Sequence, residues 1–174
     1  GEIKDKKVVI LAGTGPVGQR AAVMMAKEGA GEVILVSRKI SRAKTACEDM
    51  KSSFNVELTP AEATDCDGNG KIIEDAQIVF ATGAAGIELI KAEHWEKNDS
   101  IELIADANAT PPLGIGGTDM MDKGTERHGK IIWGAIGFGT LKLAVHKACI
   151  KKLFESNDQL LDAEEIFDIA KSMT

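Results

Sequence analysis

Two periodicities alternate along this chain. The continuous apolar runs Val8-Val9-Ile10-Leu11 and Val33-Ile34-Leu35-Val36 have the length and composition of buried parallel strands, and the largely apolar Gln77-Ile78-Val79-Phe80-Ala81, Ile101-Glu102-Leu103-Ile104-Ala105 and Lys130-Ile131-Ile132-Trp133-Gly134-Ala135 read as further strands. Between them, apolar residues return every three or four positions. Val17, Ala21, Met24 and Met25 share one helical face, and Gly29-Ala30-Gly31 supplies a stop, so a helix is predicted from Pro16 to Glu28. Ser41 is placed to cap a second helix through Ala43, Cys47 and Met50, followed by a short strand from Phe54 to Leu58. The turn-rich stretch Thr59 to Gly70 reads as a surface connection, Ile87, Leu89 and Ile90 as helical, His94-Trp95 as the end of a short helical piece, and Asp119 to Gly129 as irregular. Near the end, Leu141, Val145, Ala148, Cys149 and Leu153 form a core-facing stripe. Asp162 and Glu165 then form a capping box ahead of Ile166, Ile169, Ala170 and Met173.

Strands joined through helices must run parallel, with right-handed crossovers. The predicted fold class is therefore α/β: a Rossmann-like, doubly wound parallel sheet with helices on both faces. Residues 1–154 are expected to form the nucleotide-binding domain, and residues 155–174 a C-terminal helix packing on it or on a preceding substrate domain absent from this chain.

The chemistry concentrates where the first apolar run meets glycine. Gly13-Thr14-Gly15-Pro16-Val17-Gly18 is a GxGxxG turn between strand and helix. There Gly13 permits the turn, Gly15 lets backbone approach a pyrophosphate, Gly18 lets the helix pack on the strand, and the helix N-terminus faces the phosphates. At the end of the second strand, where an acidic residue would hold the ribose of NAD, this chain carries Ser37-Arg38-Lys39, a hydroxyl and two cations suited to the 2′-phosphate of NADP. Thr82-Gly83-Ala84 follows the fourth apolar strand as a small-residue turn; a ribose-nicotinamide contact and simple tight packing are equally consistent with it. The next strand delivers Asp106, Ala107 and Asn108 to the ligand-binding edge, and a loop stiffened by Pro111-Pro112 and loosened by Gly114, Gly116 and Gly117 follows.

Composition narrows the partners. Of 174 residues, 44% are hydrophobic and 28% charged, as in ordinary globular domains. The net charge of −6 and an aromatic content of 4% without tyrosine argue against nucleic acid and anionic membranes. No apolar run has the length of a membrane span. Cys47, Cys66 and Cys149 are odd in number and widely spaced, which fits reduced thiols in the cytoplasm. Asp65, Asp67 and Asn69 imitate a calcium loop, but Ala76 stands where the closing Glu is required, so no metal is expected. His94 reads as a capping or surface residue, His146 as solvated and Cys149 as core.

VVILAGTGPVGQRAA, SRK, NATPPLGIGGTD, GFGTLKLAVHKACIKKLFES and DAEEIFDIAKSM together resemble the NADP-dependent methylenetetrahydromethanopterin dehydrogenases of methylotrophic bacteria, which also act on methylenetetrahydrofolate. The resemblance implies hydride transfer from the methylene carbon of tetrahydromethanopterin or tetrahydrofolate carriers to NADP⁺ in one-carbon metabolism, and a homo-oligomer. It further implies that Gly13 to Gly18 hold the pyrophosphate, Ser37, Arg38 and Lys39 the 2′-phosphate, and Thr82, Gly83 and Ala84 the ribose-nicotinamide end. Asn108, Pro112, Leu113 and Gly114 would lie near the nicotinamide, with Asp106 as electrostatic support for the cationic product. Two alternatives stay open at this stage: another NADP oxidoreductase domain, of the shikimate dehydrogenase or glutamyl-tRNA reductase type, and a non-catalytic NADP-binding redox sensor.

Overall fold

A computed structural model describes residues 2–173. The chain divides into two compact units, Gly1–Gly137 and Phe138–Thr174.

The first unit is built on a seven-stranded sheet. Its strands are β1 (Lys7–Leu11), β2 (Glu32–Ser37), β3 (Thr59–Glu62), β4 (Ile78–Ala81), β5 (Leu103–Asp106), β6 (Lys123–Arg127) and β7 (Lys130–Trp133), in the order β3-β2-β1-β4-β5-β7-β6. All neighbours pair parallel except β6 and β7. Helices α1 (Pro16–Lys27), α2 (Ile40–Phe54) and α3 (Cys66–Ile72) connect the first four strands. Alternate residues of β1 face two different cores. Val9 and Leu11 pack with Val36, Val79, Trp95 and Ile104, while Val8 and Ile10 pack with Ala22, Leu35, Ala46 and Cys47. A sheet buried on both faces explains why its central strands are unbroken apolar runs. The order reverses at β1, between β2 and β4, so the carboxyl ends of those strands open a crevice.

Five local expectations give way to tertiary contacts. Ser41 does not cap α2; Lys39 occupies the cap position, and the first helical amide, Ile40 N–H, donates instead to the Glu62 carboxylate of β3 at 2.5 Å. Phe54 ends α2, where Asn55 adopts a left-handed conformation, and Arg20 stacks over its ring at 4.8 Å. The third strand accordingly starts later, at Thr59, and its polar edge position tolerates Pro60. Glycine-rich Cys66–Ile72 is helical, capped by Asp65 Oδ1 accepting from Gly68 N–H at 2.7 Å. Gly70 serves close approach there, since a Cβ would lie 2.6 Å from the His94 ring. Ile87 to Ile90 is not helical, because Leu89 and Ile90 donate their amides to Gly114 and Ile90 bridges Ile115. Finally, the polar stretch before Lys130 forms β6, turning through His128 and Gly129, both at positive φ, as a two-residue hairpin demands.

The second unit contains α4 (Gly139–Leu153) and α5 (Ala163–Lys171). Cys149 is buried and His146 exposed, but Leu141 and Leu153, expected on the core stripe, are also exposed. The Asp162–Glu165 capping box forms as its sequence requires. Among the described residues, no helix is long and apolar enough to cross a membrane.

Candidate cofactor site

The glycine turn leaves β1 through Ala12, itself in the left-handed region at φ 52°, and Gly13 N–H donates to the Val36 carbonyl at 2.9 Å. Its three glycines are required for different reasons. A Cβ on Gly13 would lie 2.6 Å from Leu35 Cδ1, and one on Gly18 would strike the Gly13 backbone, so the fold itself excludes side chains at both. At Gly15 a Cβ would meet nothing within 4 Å. The fold leaves that space open. Pro16 starts α1 without needing an amide partner, and Gln19 Nε2 donates to the Thr14 carbonyl at 2.7 Å, fixing the turn.

Beside this turn lies a cleft of about 740 Å³ across the carboxyl ends of β2, β1 and β4. Six residues singled out from sequence line it: Thr14, Ser37, Arg38, Lys39, Gly83 and Ala84. Ser37 is buried, and its hydroxyl accepts weakly from Lys39 N–H at 3.5 Å, whereas Arg38 and Lys39 are exposed on the rim. Arg42, one turn into α2, joins them and was missed from sequence. Its signal was its spacing, since position 42 places a third cation beside Arg38 and Lys39 as the helix begins. Among the described residues, none of these three cations enters a salt bridge with the protein. Asn69 of α3 also reaches the cleft and was likewise missed, read as part of a loop.

Thr82 does not line this cleft. Its hydroxyl donates to the Leu11 carbonyl at 3.1 Å and contacts that of Ala12 at 3.3 Å, tying the end of β4 to the glycine turn. Gly13, Gly15, Pro16, Val17 and Gly18 shape the turn and the start of α1 rather than the cleft wall.

Asn108, Pro112, Leu113 and Gly114 belong to a second structure, the loop after β5. Asp106 is 1% exposed, and its two oxygens accept from Asn108 N–H and Ile115 N–H, both at 2.9 Å. Burial raises its carboxyl above the usual carboxylate range, against the pull of those amides and that of Gly114. Asn108 repeats the device, its Oδ1 accepting from Thr110 N–H and its Nδ2 donating to the Pro112 carbonyl. The loop also carries a cis Pro111–Pro112 peptide. Trp95, fully buried, donates its indole N–H to the Gly116 carbonyl at 2.8 Å, closing the far end.

The remaining candidates have structural roles. His94 Nδ1 accepts from Lys91 N–H, and its Nε2 lies 3.1 Å from Asp67, so it caps its own turn. Cys47, Cys66 and Cys149 are free, and burial pushes the Cys47 thiol up to about 11.

Over 173 residues the chain is 50% identical to the bifunctional protein MdtA of Methylorubrum extorquens, covering 99% of this chain and 60% of that protein. It is 28% identical over 172 residues to the NAD(P)-dependent methylenetetrahydromethanopterin dehydrogenase of the same organism, covering 97% of this chain and 58% of that one. The chain thus spans about three fifths of the length of these relatives, and the resemblance read from its motifs holds over nearly all of it. Among solved structures, quinate dehydrogenase from Corynebacterium glutamicum in complex with NAD superposes with a TM-score of 0.58 at 17% identity, over 97% of this chain and 56% of that one. The match extends the Rossmann-type fold read from the sequence to a known architecture. The sequence profile of shikimate / quinate 5-dehydrogenase matches residues 1–108, which contain the glycine turn, the cationic rim and β1 to β5, and the chain belongs to that family.

Proposed function

We propose that this chain is the cofactor-binding part of an NADP-dependent dehydrogenase that removes hydride from the methylene carbon of methylenetetrahydromethanopterin or methylenetetrahydrofolate, yielding the methenyl form. One observation carries the cofactor half of this reading: an open glycine at the start of α1 stands beside three cations that the protein leaves unneutralised. A fold gains nothing from holding like charges together, so the arrangement suits an anionic ligand. The relatives' names supply the substrate half.

The residues fit NADP. The α1 N-terminus and Gly15 would receive the pyrophosphate. Ser37, Arg38, Lys39 and Arg42 would hold the 2′-phosphate, with the guanidinium groups offering paired donors. Gly83 and Ala84, lacking bulk, would leave room for the sugar. When bound, NADP⁺ supplies the hydride acceptor.

The chain's own task is placement. Hydride loss from a carbon between two nitrogens leaves a cation that the nitrogen lone pairs stabilise, and no proton transfer is needed in that step. Catalysis then depends on holding the two reacting carbons together and on field, more than on an acid–base pair. The loop from Asn108 to Gly114 would border the reacting ends. Asp106 beneath it would contribute through its buried negative charge and by fixing the loop.

The reading also places the protein in the cytoplasm as a homo-oligomer, without nucleic-acid or membrane partners. It is tested by assaying the complete gene product with methylene-pterin and methylene-folate substrates and NADP⁺. Formation of the methenyl product, with NADP⁺ preferred to NAD⁺, is expected. Tight NADP⁺ binding without turnover of either carrier would contradict the substrate half, and turnover with NAD⁺ alone would contradict the cationic-rim assignment.

A further inference from the structure

The cleft beside the glycine turn has two unlike ends. Its β2 end carries the cations Arg38, Lys39 and Arg42 and, from the end of β3, Ala63, whose N–H donates to the Ser37 carbonyl at 3.0 Å, while Ile87 and Leu89 form an apolar end after β4. One polar side chain stands in that apolar end. Asn69 is 6% exposed, and its Oδ1, fully shut off from bulk water, has no hydrogen-bond partner among the described residues.

Its amide orientation is fixed. Asn69 Nδ2 donates to the Leu89 carbonyl at 3.0 Å. Turning the amide over would set oxygen against oxygen and lose that bond. What Asn69 has left to offer is therefore an acceptor, and a buried acceptor without a donor is costly to keep. The missing partner must be a donor, carried on a group that the apolar side chains of Ala63, Ile87 and Leu89 can border.

Resting on the reading of this cleft as an NADP site, we propose that Asn69 Oδ1 receives the 6-amino group of the cofactor's adenine. This makes Asn69 the residue by which the cleft selects adenine over other purines. The 6-amino group is the donor on the edge of the adenine ring, whose ring nitrogens at positions 1, 3 and 7 are acceptors that Oδ1 would repel. Hypoxanthine carries a carbonyl oxygen at position 6 and so presents the wrong polarity to Asn69. The apolar side chains bordering the ring would not distinguish its edge, leaving discrimination to this one amide.

The test is calorimetric titration of this chain with NADP⁺ and with its hypoxanthine analogue, which has a carbonyl oxygen in place of the 6-amino group and a hydrogen on N1. NADP⁺ is expected to bind about tenfold more tightly, the size of one hydrogen-bond mismatch. In Asn69→Leu both are expected to bind, with the ratio falling to about one; a merely structural Asn69 would weaken the two equally and leave the ratio unchanged. Equal binding of the two dinucleotides by the unmodified chain would overturn the assignment while leaving the cofactor site standing. Binding of neither would overturn the cofactor reading and this assignment with it.

Discussion

The ends of β2 and β5 lie on the same edge of one sheet but are constructed in opposite ways. At β2 the protein leaves its polar groups unused: Arg38, Lys39 and Arg42 stand unneutralised around an open cleft. At β5 it uses nearly all of them. Asp106, Asn108 and Trp95 engage the amides and carbonyls of the following loop, so that a segment with no regular structure is held at both ends and in the middle. An unfilled set of donors favours binding a charged group, whereas a filled set favours presenting a fixed surface. The two ends together suit an enzyme that grips its cofactor by charge and positions its chemistry by shape.

The sharpest way to break this comparison lies within the glycine turn. Gly18→Ala forces a methyl group into the Gly13 backbone and should cost roughly 3 kcal/mol of stability, measured by denaturant unfolding. Gly15→Ala enters open space at φ −82°, which alanine tolerates, and should leave the unfolding midpoint unchanged while lowering NADP⁺ affinity at least about tenfold. If both variants lose stability alike, Gly15 serves packing and not a ligand.

At the β2 rim, Arg38→Ala should weaken NADP⁺ binding by about 2 kcal/mol, the size of a charge-assisted hydrogen bond, and spare NAD⁺. Parallel losses for the two cofactors would remove Arg38 from 2′-phosphate recognition. At the β5 end, Asp106→Asn puts an amide donor opposite a backbone N–H and should speed hydrogen exchange at Asn108 and Ile115 about tenfold. Unchanged protection would mean that the loop holds itself without the carboxylate. In the complete enzyme, the same variant also reports on hydride transfer, and an unaltered rate would exclude Asp106 from the mechanism.

The smallest effect is expected away from both ends. Asp122 is buried and accepts from Arg127 Nη2 at 2.7 Å and Nε at 3.1 Å, tying the start of β6 to its end, where the hairpin turns. Burial alone would raise its carboxyl, but the Arg127 bonds and the Asp119 amide outweigh it and hold the group below the ordinary carboxylate range. A depressed folded-state value means that this contribution is present above the unfolded-state value, near 3.9, and is lost as pH falls through the folded one. Because the Arg127 partner is partly exposed, Asp122→Asn should cost only about 1 kcal/mol at pH 7, and the cost should vanish in strong acid. A cost independent of pH would show that shape, not charge, holds the hairpin.

These contrasts also explain what could be read from residues alone. β1, β2 and β4 were legible because a sheet buried on both faces writes itself as apolar runs, β5 and β7 because each carries a short run rich in Ile and Leu although Ile131 of β7 is exposed, and Gly13 to Gly18 because turn chemistry is local. β3 and β6 were not, since edge strands carry little burial and β3 even contains Pro60. α3 was hidden by Gly68 and Gly70, which in this chain mark close packing on Ala63 and His94, not a turn. The extended Ile87–Ile90 segment was misread because its conformation is set by a loop more than twenty residues away in sequence. Around the cleft, the lining residues that precede a helix or end a strand had been singled out from the sequence. Arg42 and Asn69 were not, because each reaches the cleft only through the path of its helix.

The central claim is that the open glycine and the cationic rim form an NADP site. It is met most directly by titrating this chain calorimetrically with NADP⁺ and NAD⁺ in parallel. One-to-one binding of NADP⁺ at least about tenfold tighter than NAD⁺ is the expected result, since the two differ by one phosphate facing Arg38, Lys39 and Arg42. Equal affinity for the two, or binding of neither, would contradict it.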